Sequence, residues 1–300
     1  MRCTACKGVA ALCLAIALVA AATAASGVFL RGNGAIASAT TPRGERYDYV
    51  TTGVYALNSV RVVAEGVGWD LVTLFIAAPA LLAALRGIAR GSLTARLLAL
   101  GVLAYVFYQY LMYAVGWSFG PLFVPFIVLF ASSLVAMVWI VSTIDISTIR
   151  GRFTDRFPAR TMAAACWLIA SILIGMWSPR IIAGYTGDLG KASFMGMPTL
   201  TVQALDLGLI VPLAIATGVL VWRRRPWGYL LAPVLAVKGV TMAGAICAML
   251  LSAWNVEGRL EAAPLALFAG TAIAFGLLAW RMLASVKAER PAEATSARAD

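Results

Sequence analysis

Apolar stretches of about twenty residues recur along the whole chain, separated by short basic loops. This pattern leaves few folds open. A helix needs about 20 mostly apolar residues to cross the hydrocarbon core of a bilayer. Eight segments qualify: 8–30, 68–85, 97–117, 121–142, 161–177, 201–222, 228–254 and 263–283. Only 12% of the residues are charged and 62% are hydrophobic, whereas a soluble domain carries about 25% charged residues. Spanning β-strands would instead run about 10 residues with alternating polarity, and no segment alternates in that way. The expected class is therefore all-α, an integral membrane helical bundle forming one transmembrane domain over residues 1–285. A polar loop at 31–67 is expected on the outer side, and a disordered cytoplasmic tail at 286–300.

The net charge of +11 does not indicate nucleic-acid binding. The basic residues are dispersed over the loops, with no dense run interleaved with aromatics. They fit the excess of Lys and Arg in cytoplasmic loops better. With the N-terminus inside, sixteen of the 24 Lys and Arg residues fall on the cytoplasmic side, seven on the outer side, and Lys238 within a span. The expected topology is thus N-in and C-in. The tryptophans agree with the boundaries. Trp69, Trp117, Trp177 and Trp254 fall at outer ends, and Trp139, Trp222, Trp227 and Trp280 at or near inner ends. Indole rings favour the headgroup level.

The N-terminal segment has two readings. A basic start at Arg2 and Lys7 and the small-residue pattern Ala22-Thr23-Ala24 resemble a signal peptide. The apolar run continues through Val28, Phe29 and Leu30, longer than the 7–15 residues of a signal core. An uncleaved helix is expected; cleavage would leave seven spans.

Within the outer loop, residues 32–44 are rich in Gly, Ala, Ser and Thr and are expected to be irregular. Further on, Val54, Leu57, Val60 and Val63 recur at a spacing that suits an amphipathic helix lying in the interface. No internal repeat is evident.

The chain has no histidine. That excludes imidazole bases, HExxH zinc sites and His-ligated haem. No Walker A, dinucleotide-binding or EF-hand pattern is present. The five cysteines do not form a disulfide framework. Cys3 and Cys6 form an isolated CxxC with no second pair to complete a metal site. No cofactor and no metal is expected.

What remains is intramembrane charge. Lys238 lies near the centre of the seventh span, where an ionisable side chain is costly and rare. Asp206 lies about a turn and a half inside the sixth span, and Asp70 opens the second span near the same face. A Lys–Asp pair would lower the cost of both charges, although side chains on antiparallel neighbours lean apart. In the third span Tyr105, Tyr108, Gln109, Met112, Tyr113 and Gly116 share one face at 100° per residue. This Tyr/Gln stripe either lines a solute pathway or fills interhelical space and bonds to carbonyls. The candidate site comprises Lys238, Asp206, Tyr105, Gln109, Tyr113 and Asp70.

Several segments, taken together, carry a resemblance. They include Gly68-Trp69-Asp70-Leu71-Val72-Thr73-Leu74 leading to Pro79, and Gly101-Val102-Leu103-Ala104-Tyr105 running on to Tyr113. Gly120-Pro121-Leu122-Phe123, Leu205-Asp206-Leu207 and Arg223-Arg224-Arg225-Pro226-Trp227-Gly228-Tyr229 complete the set. With these the chain resembles, over most of 68–250, a group of bacterial multi-spanning membrane proteins without an established activity. The resemblance implies an inner-membrane location and no substrate. The leading expectation is a transporter of a small solute or ion, with the lipid bilayer as its surroundings. A non-catalytic scaffold, lipid-binding or sensor protein is second, and a membrane-embedded lipid-modifying enzyme third.

The charge count makes a direct prediction. Green fluorescent protein fused after Asp300 should fluoresce, and alkaline phosphatase fused there should be inactive. Phosphatase inserted in the 31–67 loop should be active. The reverse pattern would invert the topology.

Overall fold

In the computed structural model, which describes residues 2–287, eight helices are long and apolar enough to cross a membrane. They are α1 (Arg2–Phe29), α2 (Val60–Ala89), α3 (Leu93–Gly116), α4 (Phe123–Ser142), α5 (Ala159–Thr186), α6 (Thr201–Trp222), α7 (Pro226–Glu257) and α8 (Ala262–Ala284). Short connections make successive helices antiparallel. One continuous core draws on all eight. Helix α3 is its centre: 67% of its most apolar window is buried, against 22–39% for the other helices.

Local chemistry sets several boundaries. Ser59 and Ser92 cap α2 and α3 by accepting hydrogen bonds from the amides of Val62 and Ala95. Gly187 and Gly258 end α5 and α7 in the left-handed region, which glycine enters without steric cost. Pro79 and Pro212 each follow a π-helical turn, at Thr73–Ala77 and Asp206–Ile210. A proline ring clashes with the carbonyl four residues earlier and removes a donor. The wider π-turn accommodates both effects inside a span.

Several expectations need correction. The 32–44 segment is not irregular throughout. Strand β1 (Ile36–Thr40) pairs antiparallel with β2 (Arg46–Val50), with Ile36 opposite Val50 and Thr40 opposite Arg46. Small side chains in β1 conceal its alternation. The interfacial helix over 54–63 does not form. Residues 51–59 are bends and turns, with Leu57 at φ 69°, and helix begins only at Val60 as the first turn of α2. Helix α2 can start eight residues before the expected Gly68 because the charges in its first turns are matched, Arg61 to Glu65 at 2.7 Å. Helix α5 likewise continues nine residues beyond Trp177, through Pro179. The tail also differs where it is described. Val286 bridges Phe153, and the Lys287 amide donates to Arg152 O at 2.8 Å, so the chain is pinned to the 149–154 turn. Residues 288–300 of the expected tail lie outside the described residues, as does the Cys3 side chain of the CxxC.

The last correction is an internal repeat. The π-turns Thr73–Ala77 and Asp206–Ile210 are 133 residues apart, and so are Ala78–Ala89 and Val211–Trp222. The starts of α3 and α7, Leu93 and Pro226, share that offset. Gly91 and Arg224, also 133 apart, both have positive φ (80° and 53°). Contacts repeat as well. A Cβ on Gly68 would meet the Met249 backbone, and in the equivalent crossing one on Gly116 would meet Thr201. Few identities survive, among them Pro79/Pro212, Arg90/Arg223 and Leu97-Leu98-Ala99/Leu230-Leu231-Ala232. Packing in a bilayer constrains volume and polarity more than identity, so the repeat is invisible to pattern reading. Equivalent helices run in the same direction, which makes it a parallel repeat.

The Gly68 crossing is testable. Gly68→Ala should destabilise the protein by about 1–3 kcal/mol through overpacking against backbone. Gly175→Ala on α5, which would meet nothing within 4 Å, should be neutral or stabilise by up to about 1 kcal/mol. Thermal unfolding in detergent compares the two; equal effects would contradict the assigned α2–α7 contact.

Candidate functional site

The polar residues of the membrane core fall into two groups on either side of Trp69. One group is closed. Asp70 is fully buried, accepts from the Tyr55 hydroxyl at 2.5 Å and lies 3.4 Å from Gln109 Nε2. Thr73 Oγ1 donates to Gln109 Oε1 at 2.5 Å and lies 3.2 Å from the Tyr105 hydroxyl. Tyr105 and Tyr113 donate to the carbonyls of Trp69 and Gly66 at 3.2 and 3.1 Å. These groups need partners because no water competes for them in a bilayer, and every one has a partner.

The other group faces a cavity of about 920 Å³ between α2, α3, α5, α6, α7 and α8. Its walls are mainly apolar. Lys238 and Asp206, each only 5% exposed, lie on them. The two do not form an ion pair within 4.0 Å. Tyr108 stands between them. Its ring lies 4.4 Å from the Lys238 ammonium, and its hydroxyl donates to Asp206 Oδ1 at 2.6 Å. The Trp177 indole donates to Asp206 Oδ2 at 2.8 Å. Both carboxylate oxygens are therefore engaged. The Lys238 ammonium has a cation–π contact and, among the described residues, no hydrogen-bond acceptor. Gln203 on the same wall also has no hydrogen bond for its amide among the described residues, and Thr201 Oγ1 is buried without a partner.

The internal repeat relates the two groups. Thr73 and Tyr105 occupy the positions of Asp206 and Lys238. A neutral hydrogen-bonded pair in the first half thus becomes a charged pair in the second. The first half is also filled. Tyr110, Tyr113 and Phe126 pack together there, with ring centroids 5.2–5.8 Å apart. Ala243 takes the place of Tyr110, and space opens.

The end of the cavity toward the hairpin is roofed. Loop residues Ser193, Met195 and Met197 line it, and the β-hairpin holds that loop. Glu45 accepts from the amides of Met195 and Gly196 at 3.0 and 3.3 Å, and Arg43 lies 4.6 Å over the Phe194 ring. Beside it, Arg61 ties α2 to Glu257 and Glu261 at 2.5 and 2.9 Å, across the α7–α8 turn.

Of the six candidate residues, the structure brings Lys238 and Asp206 to one cavity. Tyr105, Gln109, Tyr113 and Asp70 lie behind its wall in the closed network. Asp70 is expected to open the second span near the outer face; the early start of α2 places it ten residues into the helix instead. Tyr108, Trp177 and Gln203 were not among the candidates. Tyr108 is on the polar face of α3 and Trp177 falls at a span end, whereas no pattern in the sequence sets Gln203 apart.

Tyr108→Phe keeps the ring over Lys238 and removes one donor to Asp206. It should cost about 1–3 kcal/mol of stability, the penalty for an unsatisfied buried acceptor. A shift below about 0.5 kcal/mol in thermal unfolding would mean that water replaces the hydroxyl.

No family model matches this chain, and no curated protein or solved structure matches it, so what it does must be argued from the cavity itself.

Proposed function

We propose that this protein is a carrier for a small solute in a bacterial inner membrane, with N- and C-termini inside. The cavity between α3, α6 and α7 is its binding site. The observation that carries this reading is the Lys238 ammonium, which faces a cavity of about 920 Å³ and has no hydrogen-bond acceptor among the described residues. A structural lysine would be expected to have one, since a buried charge without a partner costs several kcal/mol. The size suits one small molecule. Lys238 is the thirteenth residue of α7, roughly 18 Å from its basic end at 1.5 Å per residue. That is near the midplane of a bilayer, where carriers hold their substrates. The parallel repeat supports the same reading, because two half-bundles around one site can rock against each other.

The test is a thermal-shift screen of the purified protein against organic acids, ions and lipids, with wild type beside Lys238→Met. A ligand at about 100 times its dissociation constant stabilises by about 2.7 kcal/mol. That shift should appear in wild type and vanish in the variant. The same compound should then exchange across proteoliposomes containing wild type. Binding without exchange would make the protein a sensor or binding protein. A ligand that stabilises both proteins equally would remove Lys238 from the site.

A further inference from the structure

Resting on the carrier reading, the polarity and shape of the cavity narrow the ligand class. Asp206 has both oxygens occupied by neutral donors, Tyr108 and Trp177. The Lys238 ammonium, by contrast, has no hydrogen-bond acceptor among the described residues. The group missing from the site is therefore an acceptor, and beside an ammonium the strongest acceptor is an anion. Beyond this point the lining turns apolar. Six of the ten methionines in the chain are on the cavity wall: Met112, Met176, Met195, Met197, Met242 and Met249. Unbranched, polarizable side chains of this kind adapt to flexible apolar ligands.

The walls also indicate the route in. In the first half α1 packs on α4. Their counterparts in the second half do not close the same way: α5 packs on α6, and α8 on α7 with an edge on α3. Leu173 and Met176 of α5 and Phe268 and Thr271 of α8 face the cavity from its two sides. The hairpin-held loop roofs the end that leads to the outer aqueous phase. The remaining side is the gap between α5 and α8, which faces lipid.

We infer that the ligand is a single-chain anionic amphiphile that enters from the bilayer between α5 and α8, with its carboxylate or phosphate head on Lys238 and its tail along the methionine-lined wall. A charged head leaves the interface only at high cost unless a countercharge meets it. Lys238 supplies that countercharge halfway across. The site thus serves the translocation of a head group that the lipid phase alone would reject.

The experiment uses full-length protein in nanodiscs, with dibrominated stearate as the probe and tryptophan fluorescence as the readout. Trp69, Trp117 and Trp177 line the cavity, so a brominated chain bound there quenches them. Quenching should saturate, and stearate should relieve it, whereas stearyl alcohol, with the tail but no charge, and acetate, with the charge but no tail, should not. An alkyl phosphate should compete if the site reads charge, and its failure would restrict the head to carboxylate. Lys238→Met should weaken the apparent affinity by about tenfold or more, a loss of about 1.4 kcal/mol. Thr271→Phe, which narrows the α5–α8 gap and leaves Lys238 and the tryptophans intact, should slow the approach of quenching to its plateau, and it carries the test should Lys238→Met fail to fold. An unchanged rate of quenching in Thr271→Phe overturns lateral entry. Equal competition by stearyl alcohol overturns the anionic head. Short water-soluble acids that stabilise wild type but not Lys238→Met, with no saturable quenching, would overturn the amphiphile and leave the carrier reading standing. If no probe distinguishes wild type from Lys238→Met, both readings fall.

Discussion

The structure depends on one constraint: inside a bilayer, a polar group must find its partner within the protein. Helices satisfy the backbone, and side chains must do the rest. Asp70 meets this demand through Tyr55 and Gln109, and Asp206 through Tyr108 and Trp177. Each carboxylate is held by donors from other elements, so these residues fix how helices sit against one another. Lys238 departs from the pattern. It sits over an aromatic face, and among the described residues its ammonium has no hydrogen-bond acceptor. The ammonium shares the cavity wall with the Gln203 amide, which also has no hydrogen bond among the described residues, and with the unpartnered Thr201 hydroxyl.

The internal repeat explains how such a site can exist without loss of the bundle. Two half-bundles share π-turns, prolines and the tight crossing near Gly68 and Gly116. The first half is filled by stacked aromatics, including Trp117 4.0 Å from Tyr113 by ring centroid. It acts as a rigid support. Its partner exchanges Thr73 and Tyr105 for Asp206 and Lys238 and leaves a volume unfilled. Close packing in one half offsets the cavity in the other, since each lost contact surface in a core costs stability.

The hairpin and the Arg61 cluster belong to the same arrangement. Both act at the end of the cavity away from the basic loops. The hairpin holds the 193–197 loop through main-chain hydrogen bonds to Glu45, and Arg61 joins α2 to the α7–α8 turn through carboxylates 38% and 40% exposed. Such partly exposed ion pairs contribute modestly to stability individually. Their geometric effect is larger: they span the two half-bundles over the cavity.

By itself the sequence determined the class, the number of spanning helices and the two residues that define the cavity chemistry, Lys238 and Asp206. Length, apolarity and the rarity of charge in hydrocarbon act locally, so they can be read locally. Boundaries were less legible. The early start of α2 depends on Arg61 meeting Glu257 and Glu261, almost 200 residues away. The tertiary structure alone decided which polar residues face a cavity and which are closed off. On the polar face of α3, Tyr105 and Tyr108 are three residues apart, yet Tyr105 bonds to α2 and Tyr108 to α6. That division follows from which neighbouring helix each side chain meets. It also decided that Lys238 and Asp206 are joined through an aromatic ring rather than to each other, because the approach of three helices, and not the spacing along any one, sets the distance between them.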